Sequence, residues 1–195
     1  SIPTNNYNSS NAKHKLLLEV CMAAKYEGDL INTPYPIHQQ TNNESQLCTV
    51  LARSFADIGD IVRGRDLFRG NDKEKEQRKQ LDKKLKTIFK KIYEGLIGDA
   101  QNRYNGDEAN NFFKLREDWW TANRHTVWEA ITCDVKDSKY FRGTCGGSGK
   151  TAIQARDKCR CPKTSGGKAG KSETDQVPTY FDYVPQFLRW FEEWA

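Results

Sequence analysis

No stretch of this chain approaches the 18 or so consecutive apolar residues of a membrane-crossing helix, and mean hydropathy is −0.85. The opening residues, SIPTNNYNSSNAK, hold no apolar run of the secretory-leader kind. Strand-like alternation is scarce and no internal repeat is evident. There is no C-x-x-C pair, and His14, His38 and His125 stand singly, so no zinc set is expected. No Ser/His/Asp or Cys/His arrangement is legible. The acidic neighbours Glu117–Asp118 and Glu192–Glu193 sit side by side in helical stretches and point apart, so they make no acid–base pair. An enzyme is therefore not expected, nor a metal or cofactor.

One string imitates a nucleotide loop. GTCGGSGKT covers 143–151, and a P-loop needs Gly, four residues, then Gly-Lys-Ser/Thr. Five positions before Gly149 stands Thr144, and Gly143 is off by one. A cysteine lies inside the string and no strand precedes it. The context that phosphate binding requires is missing.

Charge is not extreme. The 195 residues hold 31 Lys and Arg against 26 Asp and Glu, a net +5. That total alone does not define a nucleic-acid binder. Six cysteines are too few for a small disulfide scaffold, but an even number fits an oxidising compartment better than a metal site. They allow 15 pairings, and spacing alone does not choose among them.

What the chain does contain is helix and aromatic mass, with 9 Phe, 8 Tyr and 5 Trp, enough for a sizeable core. Leu16, Leu17, Val20, Cys21 and Ala24 predict an amphipathic helix over 14–27, stopped by Gly28. Residues 29–43 read as a loop. Leu47, Val50, Leu51, Ser54, Phe55, Ile58 and Ile61 predict a second helix over 44–63. Gly59 interrupts it at a cost of roughly 1 kcal/mol, as expected of a close packing point. Leu81, Leu85, Ile88, Phe89, Ile92 and Leu96 mark a third helix over 72–98, closed by Gly95 and Gly98. A fourth runs over 107–132 on Phe112, Leu115, Trp119, Ala122, Thr126 and Ile131, with Trp120 and Trp128 alongside. Residues 143–176 are rich in Gly, Ser and Lys and read as loop, with a helical turn or two over 151–158. The fold expected is an all-α, disulfide-linked helical bundle with long loops.

Two features bear on function. Lys79, Lys83, Lys86 and Lys90 share one face of the third helix, with Lys84 and Lys91 beside it. The cluster reads as a solvated face or as a site for a sulfated glycan or phosphate. The loop cations Lys158, Arg160, Lys163, Lys168 and Lys171 have the same two readings. Aromatics are not interleaved with either set, which counts against single-stranded nucleic acid. The second feature is the end, VPQFLRWFEEWA. After Pro185, Phe187, Trp190, Phe191 and Trp194 recur at helical spacing with no stop signal, as in a fragment of a longer parent. Asn8-Ser-Ser and Asn43-Glu-Ser match the glycosylation acceptor pattern, a weak signal in an Asn-rich chain.

Four strings carry a resemblance that covers nearly the whole chain: LLLEVCMAAKYEGD at 16–29, LARSFADIGDIVRGRDLF at 51–68, REDWWTANRHTVWEAITC at 116–133 and VPTYFDYVPQFLRWFEEWA at 177–195. In this order they resemble the alpha class of the Duffy-binding-like domain of the malaria erythrocyte membrane protein 1 family. The resemblance implies a mostly helical adhesion module without enzymatic activity. Residues 1–182 would be the central helical subdomain and 183–195 the first turns of the next. It implies a membrane-anchored parent on the extracellular face of the infected erythrocyte, antigenically varied, and active in cytoadherence and rosetting. Implied partners are host red-cell or endothelial receptors, sulfated or blood-group glycans, and antibodies, but not nucleic acid. The rival reading is a structural scaffold whose neighbours carry the binding. For the cysteines the resemblance implies three pairs: Cys21–Cys133, Cys145–Cys161 and Cys48–Cys159.

Overall fold

The computed structural model describes residues 11–33, 46–67, 70–136, 138–145, 152–162 and 177–189. The chain is mostly helical. In order come α1 (Ala12–Asn32), α2 (Gln46–Arg63), α3 (Asp72–Glu94), a short α4 (Asp99–Asn102), a 3-10 turn (Asp107–Asn110) and α5 (Phe113–Ile131). Then follow β1 (Gly143–Cys145), β2 (Ile153–Gln154) and two 3-10 turns, Phe181–Tyr183 and Gln186–Leu188. The chain divides into two compact units, residues 1–20 with 59–122 and residues 21–58 with 123–195.

In the first unit α3 lays Leu85, Phe89 and Ile92 into the core, and Phe89 meets Trp119 edge-on, ring centroids 6.1 Å apart. Trp120 is fully buried. Gly59 lies against it: a Cβ there would stand 2.8 Å from the indole, so this glycine is the packing point its place in the helical pattern predicts. Arg63 is buried, bonded to Gly59 O and Asp60 Oδ1 at 3.0 Å each, and its guanidinium lies 5.8 Å over the Trp120 ring.

In the second unit Phe55 meets Trp128 edge-on at 5.1 Å, and the Trp128 indole N–H donates to Cys159 O. Cys48 is bonded to Cys159 across 111 residues and Cys145 to Cys161 across 16. β1 and β2 pair antiparallel, Gly143 opposite Gln154.

Four expectations need correction. Gly28 does not stop the first helix; α1 runs on to Asn32. A Cβ at Gly28 would lie 2.1 Å from Ile131 O, so this glycine is a contact of backbones rather than a cap. The outer face of α1, with Met22, Tyr26 and Leu30, is exposed. The helix expected over 107–132 is broken at Asn111 and Phe112, both left-handed at φ 58 and 59°, so α5 starts only at Phe113. Its stripe holds at Leu115, Trp119 and Ile131, with Trp120 and Trp128 buried alongside, but fails at Ala122, which is exposed, and at Thr126, which is half-buried; Val127 takes the buried place there. Residues 151–158 do not form a helical turn: 153–154 are strand and 157–159 a left-handed turn.

Candidate functional site: a lysine-bearing helix face

α3 is built to stand as an exposed helix. Asn71 caps it, its side chain accepting from Glu74 N at 2.9 Å while Glu74 Oε2 accepts from Asn71 N at 3.1 Å, a capping box. Asp72 and Glu74 occupy the first turn and Lys91 the last, which suits the helix dipole. From Gln77 to Lys91 there are seven cations and a single acid, Asp82.

That acid organises its surroundings. Arg116, fully buried as a side chain, reaches Asp82 Oδ1 at 3.1 Å. The same guanidinium group donates to Val62 O at 2.6 Å and Ile61 O at 3.1 Å. Burial lowers the Arg116 pKa from its usual value, opposed by its bond to Asp82. Asp82 also holds Lys86 at 2.8 Å. Burial would raise the Asp82 carboxyl; its bonds to Lys86 and Arg116 outweigh this and hold it below the usual carboxylate range.

The six lysines named from sequence therefore separate. Lys86 is tied to Asp82 and Lys90 to Glu108 at 3.5 Å. Lys79, Lys83 and Lys84 are exposed and make no ion pair among the described residues. The 3.6-residue repeat keeps Lys79, Lys83, Lys86 and Lys90 on one face but sets Lys84 and Lys91 roughly 120° round the helix. Lys84 and Lys91 thus form a second strip.

The loop cations behave differently. Arg160 donates to Thr132 Oγ1 at 2.9 Å and Glu129 O at 2.6 Å, and Lys158 to Cys133 O at 3.3 Å. Both serve the C-terminal end of α5, whose free carbonyls carry partial negative charge. Lys163, Lys168 and Lys171 lie outside the described residues, as do the GGSGKT string, Asn8, Asn43 and the aromatics of 190–195.

The expected Cys21–Cys133 link is not made; both residues are thiols. Cys133 Sγ is instead held by Asp134 Oδ2 at 3.1 Å and Lys25 Nζ at 3.4 Å. Burial and then Asp134 raise the Cys133 pKa, and burial and then Glu129 raise that of Cys21, so neither is poised as a thiolate nucleophile. Asp29, Cys133 and Asp134 bring their ligand atoms within 4.8 Å of one another, a grouping the sequence spacing did not reveal. Lys25 supplies the cation there, 2.5 Å from Asp134 and 3.3 Å from Asp29. Its bond to Asp134 is the main cause of a pKa above the ordinary lysine value, and Lys25 brings Asp134 down to about 2.

A disulfide-tied helical module presenting an exposed cationic helix face is what these residues define. The Duffy binding domain family matches residues 2–189, and the chain belongs to that family. Among solved structures it is similar to the NTS-DBL1-alpha and CIDR-gamma double domain of the PfEMP1 protein from the Plasmodium falciparum varO strain. The identity is 45% and the TM-score 0.69, over 93% of this chain and 24% of that one. It is also similar to the NTS-DBL1(alpha-1) domain of the same strain, 42% identical with TM-score 0.68, over 95% of this chain and 40% of that one. The DBLbeta domain of PfEMP1 IT4var13, solved bound to ICAM-1, is 30% identical with TM-score 0.60, over 97% of this chain and 40% of that one. No curated protein matches the chain. The chain thus spans well under half the length of these solved relatives.

Proposed function

We propose that this chain is a host-cell adhesion module of a surface antigen on infected red cells, and that α3 captures anionic host glycans. The observation that carries the site is the outer face of α3, where Lys79, Lys83 and Lys84 stand exposed without ion-pair partners among the described residues. Exposed cations on two strips of one helix, Lys79 and Lys83 on the first and Lys84 on the second, attract sulfated chains, and weak contacts gain strength by repetition on a cell surface. Lys86 and Lys90 contribute less, because Asp82 and Glu108 already hold them. Lys91 lies on the Lys84 strip and extends it toward the end of the helix. The DBLbeta relative in complex with ICAM-1 supports host receptors as a second partner class. In the same reading residues 1–182 are the central subdomain, 183–195 open the next, and rosetting is the cellular outcome. Beads coated with the chain test the proposal: they bind red cells, and soluble heparin releases them. Binding by a longer domain but not by this chain supports the scaffold reading instead.

A further inference from the structure

Residues 177–189 form a strap that is tied down at several points of the second unit. Thr144 Oγ1 donates to Pro178 O at 2.7 Å, and Arg124 Nη2 donates to Thr179 O at 2.8 Å. Asp182 takes two parallel bonds from the Arg124 guanidinium. Arg189 Nε donates to Phe181 O at 3.0 Å and Val184 O at 3.1 Å, and its Nη1 reaches Asp57 Oδ1 at 2.8 Å. Val177, Thr179, Phe181, Asp182 and Arg189 are all buried. The strap is therefore fastened to α2, α5 and β1 at once. Arg189 folds back on Phe181 and Val184, so its bonds must break before the strap can peel.

The two disulfides close on one short stretch just ahead of this strap. Cys159 joins Cys48 in the first turn of α2, and Cys161 joins Cys145 at the end of β1. Followed from α3, one covalent branch runs back through α2 to Cys48 and across to Cys159. The other runs forward through α5 and β1 to Cys145 and across to Cys161. The branches meet only two residues apart. Asp57, Arg124 and Thr144, which hold the strap, all lie inside the loop closed by Cys48–Cys159.

We infer that the strap and the two disulfides form a load-bearing harness: tension between α3 and the chain beyond residue 189 is taken by the strap before any helix unravels. An adhesion module meets such tension whenever a bound cell is pulled away. The related double domain is the N-terminal part of its protein, so the rest of that protein follows on the strap side. With the strap closed, load passes from Arg189 and Asp182 into α2 and α5 together, and a bidentate buried pair yields less readily than single exposed bonds. Once the strap opens, the disulfides limit how much chain can be drawn out. The use of the harness in adhesion rests on the reading above; the harness itself rests on these bonds alone.

Single-molecule pulling on the whole chain tests it, with handles on an azide-bearing residue at position 83 and on Ala195. The first event expected is opening of the strap. Asp182→Asn makes that opening at least about tenfold faster at a given force. Asp57→Asn, at an exposed carboxylate, makes it about threefold faster and leaves the buried pair in place. Full extension of the unreduced chain reaches roughly 250 Å. Joint Cys48→Ser and Cys159→Ser adds roughly 90 Å. Joint Cys145→Ser and Cys161→Ser adds nothing, because the shorter branch through Cys48 already sets the limit. These full lengths hold whether or not the cysteine variants fold. Wild-type opening rates in both aspartate variants overturn the latch, as does a first step longer than the roughly 100 Å that residues 161–189 supply. A full extension unchanged by loss of Cys48 and Cys159 overturns the harness. No glycan enters the measurement, so its failure is distinct from failure of the α3 site.

Discussion

Arg124 and Asp182 meet as two planar groups with parallel bonds, Nε to Oδ2 at 2.7 Å and Nη2 to Oδ1 at 2.8 Å. Both are buried. The same Nη2 donates to Thr179 O at 2.8 Å, and the guanidinium lies 5.6 Å over Phe55 and 5.1 Å over Tyr183. This bidentate pair fastens the segment after residue 177 onto α5. Arg189 adds a second tie, with Nη1 on Asp57 Oδ1 at 2.8 Å and Nε on Phe181 O at 3.0 Å.

Asp182→Ala leaves the Arg124 charge buried without its partner. Losing one member of a buried pair costs about 3–5 kcal/mol. Urea unfolding of the variant is expected to show a loss of that size, and a double-variant cycle with Arg124→Ala to show strong coupling. A loss below about 1 kcal/mol, the range of surface pairs, contradicts the burial of this pair.

Gly28 and Gly59 have no room for a methyl group. The Ile131 carbonyl blocks one at 2.1 Å and the Trp120 ring the other at 2.8 Å. Elsewhere in a helix Gly→Ala raises stability by up to about 1 kcal/mol. Here each is expected to lower it by about 1–3 kcal/mol through overpacking. Gly28→Ala suffers more, because backbone yields less readily than a side chain. Thermal melts of the two variants supply the comparison.

Acid sensitivity follows from Asp82 and Asp134. Both carboxyls titrate below the usual value of 3.8, Asp134 at about 2. A depressed carboxyl contributes stability that is complete above its unfolded pKa and is lost as pH falls through its folded pKa. The urea midpoint is therefore expected to hold from pH 6 to about 4 and to fall between about 4 and 2. Asp82→Asn and Asp134→Asn each flatten that fall. A wild-type midpoint that does not change over the same interval opposes the assignment.

The two disulfides differ in reach. In the chain-entropy account a loop near 100 residues is worth about 4–5 kcal/mol and one near 15 about 3. Removing Cys48–Cys159, which spans 111 residues, is expected to destabilise more than removing Cys145–Cys161, which spans 16. Peptide mapping without reduction recovers both links. Recovery of Cys145 joined to Cys159 would overturn this connectivity.

Much of the fold was legible because helical periodicity is local. The Leu85–Phe89–Ile92 row and the core role of Phe55 follow from spacing. Less legible was whatever depends on who lies opposite. Gly28 reads as a stop until Ile131 is seen against it. Phe112 reads as helix until its left-handed backbone is seen. The lysine row was visible, but its partial neutralisation was not, since Asp82 is shared with Arg116 from 34 residues away and Lys90 meets Glu108. Nor does any local pattern bring Lys25 to Asp134, or fold 157–159 into the left-handed turn that carries Cys159 to Cys48.

Salt-dependent heparin affinity tests the central claim most directly. Wild type is compared with Lys79→Ala/Lys83→Ala/Lys84→Ala and with Lys86→Ala/Lys90→Ala. Each exposed cation that touches sulfate adds to the salt slope by releasing counterions. The account predicts that the triple variant loses affinity about tenfold or more and has a shallower salt slope, while the double variant changes little. Wild-type affinity and slope in the triple variant would contradict it.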